Sequence, residues 1–309
     1  MSIIKSLDFT SVEVDKKPSV SVIIPTFNHE KFLACALDSV IAQTFSAWEA
    51  VVINNFSQDN TVELVDAYQD PRIRIVNFAN HGVIAASRNL GIALTQSPYI
   101  AFLDSDDNWY PEKLQRCMDK LVDGYDLVCH AEIWAGPGER RRTMHYGPET
   151  RATYESLLLE GNCISTSAVV VRREWLERVG GFSVQPEFVT AEDYELWLKL
   201  ARDGAKIGFI DEVLGEYLIH DGNQSRAALR NMQAVMEVFE HHRSALENCT
   251  SARRLRRREA VILYGGARGL QDSGQYRQAW PHFFKAVSRY PWVLRFYAAM
   301  LLNALGRRP

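Results

Sequence analysis

The chain has 309 residues, 47% hydrophobic and 24% charged, with a net charge of −3, a balance that excludes disordered and fibrous classes and supplies one large core with a smaller appendage. Residues 226–309 hold 15 Arg or Lys against five Asp or Glu, leaving −13 for residues 1–225; an acidic front suits a divalent cation and a basic tail suits an anionic surface such as lipid headgroups. No apolar run approaches the ~20 residues that span a bilayer, and MSIIKSLDFTSVEVDKKPSV lacks a signal peptide's apolar centre, so a cytoplasmic protein is expected.

Ser19–Ile24 reads as an apolar strand ending at Pro25, Lys31–Gln43 as an amphipathic helix and Glu49–Ile53 as a second strand. Asp59–Tyr68 reads as a helix with Asp59 or Asn60 near its N-cap. A strand at Ile73–Val76, a helix at Val83–Thr95 and an apolar strand at Tyr99–Leu103 follow. This alternation predicts an α/β fold, a mostly parallel Rossmann-like sheet with helices on both faces. Ligands bind beyond the carboxyl ends of such strands, which directs attention to the polar loops Pro25–Glu30, Asn54–Asn60 and Asp104–Asn108.

Further along lie a strand at Leu127–Trp134, a Gly/Pro/Arg-rich loop at Gly136–Arg142, a strand at Ser167–Val171 and a helix opening at Glu192–Asp193. From about Gln224 the chain reads as helical, with breaks near Asn248–Ser251, Asp272–Gly274 and Tyr290–Pro291. Ala267–Tyr290 has the small and aromatic spacing of a single tetratricopeptide-type hairpin. Cys35, Cys117, Cys129, Cys163 and Cys249 form no CxxC pair and are expected to be reduced and buried, outside any disulfide framework or zinc site.

The densest chemical signal is Asp104-Ser105-Asp106-Asp107 at the end of an apolar strand. Three adjacent carboxylates repel unless a cation offsets them, and Mg²⁺ or Mn²⁺ prefers such oxygen ligands. The plainer reading is a strand-to-helix turn, with Asp106 or Asp107 capping the helix after Pro111.

SVSVIIPTFN, the Asp59-Asn60-Thr61 turn, SRNLGIALTQSPYIAFLDSDD, the Gly-Gly-Phe at Gly180–Phe182 and EDYELWLKLA together resemble glycosyltransferase family 2 over about residues 18–222. The resemblance implies a GT-A fold and an inverting transfer of sugar from a nucleotide-sugar donor to a hydroxyl of a glycan or lipid-linked glycan, with a role in bacterial surface polysaccharide synthesis. On this reading residues 1–17 are an N-terminal extension, 18–223 the catalytic domain and 224–309 a helical C-terminal region.

By the same resemblance, Asp106 is the main ligand of Mn²⁺ or Mg²⁺, with Asp104 nearer the ribose, Ser105 beside it and Asp107 a second ligand. Asp193 of the Glu192-Asp193 pair is the general base; a carboxylate suffices because the acceptor hydroxyl becomes strongly acidic only as it bonds to the anomeric carbon. Pro25, Thr26, Phe27 and Asn28 form the first nucleotide-contacting loop, and Arg88 reaches the base or the diphosphate with its fork of donors. The acceptor is expected from the side of Asn162–Ser167.

One departure stands out. Where the family carries Asp-Asp-Gly-Ser, this chain has Asn54-Asn55-Phe56-Ser57. Asn55 still accepts a hydrogen bond from a base imide through its carbonyl oxygen, without charge, so a UDP-sugar is favoured with dTDP and GDP open. His220 matches a family histidine near metal or diphosphate, and the plainer reading is a satisfied surface histidine; His81, His130 and His145 are read as structural. Arg253, Arg254, Arg256, Arg257 and Arg258, followed by aromatic helices, read as a solvated face or as peripheral contact with an anionic membrane, and no nucleic-acid module accompanies them. Competing classes are a non-catalytic sugar-nucleotide binder and an interaction module acting through the tail. A nucleotidyltransferase is disfavoured, because Pro25–Asn28 has no glycine to cradle phosphate.

Overall fold

The computed structural model describes residues 17–136, 141–220, 227–246 and 250–307. The strands β1 (Val20–Thr26), β2 (Trp48–Asn54), β3 (Ile73–Asn77) and β4 (Tyr99–Phe102) pair in parallel in the order β3-β2-β1-β4. They are linked through the helices α1 (Glu30–Ile41), α2 (Thr61–Ala67) and α3 (Ile84–Ala93). β1 is buried at every position, as a central parallel strand covered on both faces must be. Its side chains divide by the two-residue period of a strand. Val20, Val22 and Ile24 pack with Leu33 and Leu37 of α1, while Ile23 joins Ile100 and Phe102 in the opposite core.

Beyond β4 the sheet continues through β8 (Val169–Arg172), antiparallel to both β4 and β6 (Leu127–Ala135). β6 then runs parallel to the long β9 (Ile207–Leu218). Two short strands, β5 (Asn108–Trp109) and β7 (Arg141–Met144), pair antiparallel with β9 and β6. The parallel ladders are the longer ones, seven residue pairs for β1–β2 and eight for β6–β9, so the sheet is mostly parallel. Helices α4 (Lys113–Val122), α5 (Tyr154–Glu160), α6 (Arg173–Val179) and α7 (Glu192–Arg202) complete the covering layers.

Three boundaries differ from expectation. Ser167 lies in a 3₁₀ turn, Thr166–Ala168, and the strand begins only at Val169. Arg141 and Arg142 are in β7 rather than in a loop, and 137–140 lie outside the described residues. β9 escapes sequence reading because its centre, Asp211-Glu212, is exposed and polar, and its pairing with β6 shifts register around Ala131. Cys117, Cys129 and Cys163 are buried free thiols as expected, but Cys35 is exposed on α1. Cys249 lies outside the described residues.

The tail is helical: α8 (Ala228–Arg243), α9 (Ala252–Asp272), α10 (Tyr276–Arg289) and α11 (Leu294–Ala304). The breaks after Asp272 and after Arg289 fall where expected, while 247–249, in the first expected break, and the anticipated junction near residue 223 lie outside the described residues. Val238 and Phe239 of α8 and Leu255 and Ile262 of α9 belong to the same apolar cluster as Leu157, Leu196 and Trp197. The C-terminal part of α9 instead joins α10 and α11 around Leu270, Phe283 and Ala299. Among the described residues no helix is long and apolar enough to cross a membrane.

Gly215 sets how closely β5 can approach β9. A Cβ there would lie 2.8 Å from the backbone oxygen of Asn108, an obstacle no side-chain rotation relieves. Gly215→Ala is expected to cost about 1–3 kcal/mol of unfolding free energy, measured by denaturant titration; an unchanged midpoint would show that the rim strands are not held at this distance.

Candidate active site

Arg88 occupies the inward face of α3 together with Ala85 and Ile92, three and four residues away, the spacing that aligns side chains along one side of a helix. It is 3% exposed. Its Nη1 donates to Glu192 Oε1 at 2.9 Å and its Nη2 to Asp104 Oδ1 at 2.7 Å. Burial alone would weaken the guanidinium's hold on its proton, but Asp104 and Glu192 outweigh that and raise its pKa above the ordinary arginine value. The guanidinium also lies 5.4 Å from the ring centre of Phe182, within cation–π range.

The next residue explains the Gly-Gly-Phe motif. Asn89 Oδ1 accepts the Phe182 N–H at 2.9 Å and its Nδ2 donates to the Phe182 carbonyl at 2.8 Å. A Cβ at Gly181 would lie 2.7 Å from that same Asn89 oxygen, and the Gly181 φ is +68°, so glycine is required on both counts. Ser87-Arg88-Asn89 and Gly180–Phe182, 93 residues apart, are thus two halves of one arrangement.

The Asp104–Asp107 loop leaves β4 and is held from below by Ser167. The Asp104 N–H donates to Ser167 Oγ at 3.1 Å, and that hydroxyl donates to Asp107 Oδ2 at 2.6 Å. The other Asp107 oxygen accepts the Leu218 N–H at 3.0 Å. Asp107 is 2% exposed, and burial, then Asp106 and Asp104, push its pKa well above the usual carboxylate range. Ser105 Oγ lies 2.8 Å from Nδ1 of His29, and Asp106 Oδ2 lies 2.8 Å from Nε2 of His220. The His220 ring stacks on Phe32 with centroids 4.7 Å apart.

Protein groups offset part of the repulsion among the three adjacent acids. Asp104 is compensated by Arg88, Asp107 is buried and tied to Ser167 and Leu218, and Asp106 faces His220. Among the described residues no group of three or more His, Cys, Asp or Glu is arranged to hold an ion. The Asp106–His220 pair nevertheless fits one. It offers one oxygen and one nitrogen donor acceptable to Mn²⁺, and ions at phosphate sites commonly take only one or two protein ligands, with phosphate and water completing the shell.

The loops after β1 and β2 are laced together. Asn28, at φ +52°, donates its N–H to Ser57 Oγ at 2.9 Å and accepts the Gln58 N–H at 2.7 Å. Asn54 is buried, accepting from Ser57 and donating to Asn77. It therefore shapes the loop and does not line it. Asn55 Oδ1 accepts the Asn80 N–H at 3.0 Å, so the carbonyl expected to meet the base already serves the next strand's loop. Pro25 and Thr26 are buried within β1, whereas Phe27 and Phe56 are exposed at the rim.

Asp193 sits at the start of α7, whose N-terminal dipole favours negative charge. Its Oδ2 accepts from Thr166 Oγ1 at 3.1 Å and its Oδ1 from the Tyr194 N–H at 2.7 Å. Burial, then Glu192, raise its pKa to about 6, against an opposing pull from Arg88. Glu192 is fully engaged, Oε1 with Arg88 and Oε2 with the Thr190 N–H at 2.8 Å. The single turn Thr166–Ala168 thus serves both carboxylate centres. Thr166 and Ser167 as individual contributors, and His29, went unnoticed in the sequence because small hydroxyl residues and a lone histidine carry no motif.

The family model for glycosyl transferase family 2 matches residues 21–180, more than half of the chain. The chain belongs to this family. A family relative, the UDP-Glc:alpha-D-GlcNAc-diphosphoundecaprenol beta-1,3-glucosyltransferase WfgD of Escherichia coli, is 31% identical over 193 residues, 60% of this chain and 70% of that protein. Among solved structures, TarS of S. aureus in complex with UDP superposes with a TM-score of 0.56 at 17% identity, covering 94% of this chain and 92% of that one. The mannosyltransferase PcManGT from Pyrobaculum calidifontis, solved with GDP-Man and Mn²⁺, gives a TM-score of 0.60 at 19% identity, covering 94% and 81%. These likenesses establish the GT-A fold for this family 2 glycosyltransferase.

Removing the buried cation tests the arrangement. Arg88→Met is expected to lower stability by about 3–5 kcal/mol, because it strands Glu192 uncompensated in the interior. Adding Glu192→Gln to it should recover part of the loss, as read by denaturant unfolding; strictly additive losses would show that the two side chains are not coupled.

Proposed function

We propose that this glycosyltransferase moves a sugar from a nucleoside diphosphate sugar, with a UDP-sugar favoured, to a hydroxyl of a glycan or lipid-linked glycan, inverting the anomeric centre. The observation that carries the reading is Asp193. It is a carboxylate fixed by Thr166 and the Tyr194 N–H, with a pKa near 6, one residue from the glutamate that shares Arg88 with Asp104.

In this mechanism Asp193 takes the proton from the acceptor hydroxyl as its oxygen bonds to the anomeric carbon and the bond from that carbon to the diphosphate oxygen breaks. Attack from the face opposite the leaving group gives inversion. Asp106 and His220 are the residues that would hold a divalent ion, which supplies positive charge for the departing diphosphate. Arg88 keeps Asp104 in place below the donor. Glu192 is a positioning residue whose oxygens are spent on Arg88 and the Thr190 backbone, and Asp107 fixes the loop from beneath. The donor preference is supported by the named substrate of the E. coli relative, and GDP stays open because PcManGT binds GDP-Man and Asn55 has already used its oxygen on Asn80. A place in bacterial surface polysaccharide synthesis is supported by the undecaprenol-linked acceptor in that relative's name.

Calorimetry with UDP, dTDP and GDP, each with and without Mn²⁺, is expected to show one nucleotide binding only with the ion, and Asp106→Ala should weaken that binding about tenfold or more. Asp193→Asn should retain nucleotide binding but lower transfer roughly 10²–10⁴-fold. Because only ionised Asp193 acts as base, wild-type turnover should fall as pH drops through about 6. If no nucleotide binds, or Asp193→Asn transfers sugar normally, the assignment fails.

A further inference from the structure

The end of the helical tail carries an apolar face that none of the described residues covers. In α11, Phe296, Ala299 and Asn303 turn inward, while Leu294, Tyr297, Leu301 and Leu305 are exposed. Those four recur at intervals of three and four residues and so form one stripe along the helix, on the side away from the core. Trp292, in the turn before α11, extends it. Trp292 is 77% exposed and Leu294 is 85% exposed. A contiguous row of large apolar side chains is rare on a free surface and marks a contact.

The charge around the stripe identifies its partner. From Ser273 to Pro309 the chain has six Arg or Lys and no Asp or Glu. Lys285, Arg295 and Arg307 are exposed. The arginine run that draws attention in the sequence is used differently. Arg258 is buried and donates to Tyr194 Oη at 3.2 Å, and Arg254 pairs with Glu155, so these two lock α9 onto the body that carries Asp193. Arg253, Arg256 and Arg257 of the same run stay exposed, as do Lys285, Arg295 and Arg307.

We infer that α11 and the turn before it dock on an anionic lipid surface. Leucine, tryptophan and tyrosine side chains enter the boundary between headgroups and acyl chains, and arginine and lysine lie at headgroup level with their apolar stems buried. A second copy of this chain is the poorer occupant. A two-fold contact would press the same patch against itself, bringing two acid-free basic surfaces together with no carboxylate to offset them. The inference is independent of the chemistry proposed for Asp193.

Sedimentation of the full chain with phosphatidylglycerol–phosphatidylcholine vesicles, compared with phosphatidylcholine alone, tests it. Binding is expected only with the anionic lipid and should weaken as salt screens the charge. The triple change Trp292→Ser, Leu294→Ser and Leu301→Ser, all at exposed positions, is expected to reduce partitioning roughly tenfold or more, while circular dichroism and nucleotide calorimetry stay as in wild type. Arg295→Glu with Arg307→Glu should lower binding and flatten its salt dependence with the stripe intact. Failure of the wild type to sediment with anionic vesicles, equal binding by the triple variant, or a concentration-dependent dimer in light scattering that the triple variant loses would overturn the inference.

Discussion

Most of the site depends on one buried cation. A guanidinium removed from water is unfavourable unless carboxylates compensate it, and the two Nη groups of Arg88 meet carboxylates that arrive from different parts of the chain, Asp104 after β4 and Glu192 at the start of α7, while its Nε has no hydrogen-bond partner among the described residues. Pairing both Nη groups of Arg88 therefore places the loop after β4 beside the N-terminus of α7, and Asp193, next to Glu192, is brought within reach of the same positive charge. The pairing acts as a geometric constraint more than as a source of net stability, since buried ion pairs often do no better than apolar packing.

Around this centre the polar groups are arranged in supporting rows. Ser167 bridges the Asp104 N–H and Asp107, and Thr166 holds Asp193, so one short 3₁₀ turn ties the acid loop after β4 to the carboxylate at the start of α7. Asp107 also receives the Leu218 N–H, which ties the end of β9, two residues before His220, to the acid loop. Asn89 couples α3 to Gly181 and Phe182 and keeps an aromatic ring under Arg88. Motifs that look separate along the chain are mutually dependent contacts in space.

The tail divides into two functions of packing. α8 and the first part of α9 complete the core of the α/β body, whose α7 would otherwise expose Trp197 and its neighbours. α10 and α11 pack with the rest of α9 in small separate clusters and leave an apolar stripe exposed, on a stretch of chain that has no Asp or Glu of its own. The division does not coincide with the composition shift near residue 226, because charge is a property of surfaces and the core follows apolar side chains.

The repeating strand-helix pattern determined, from sequence alone, that β1 to β4 form a mostly parallel sheet and which loops gather polar residues, because both follow from local periodicity, whereas the strand order β3-β2-β1-β4 came only from the tertiary structure. The acid run, the Glu192-Asp193 pair and Arg88 were legible through their resemblance to a family. The tertiary structure alone decided which of those side chains turn to protein partners: Asn54 and Glu192 do so, Asp107 is buried, and the Asn55 oxygen accepts from the Asn80 N–H. β9, with its polar middle and shifted register, and the contributions of His29, Thr166 and Ser167 were likewise invisible beforehand. A carboxylate's identity is written in the sequence, but its hydrogen-bond partner can lie more than a hundred positions away, and that partner determines whether it stays available for chemistry.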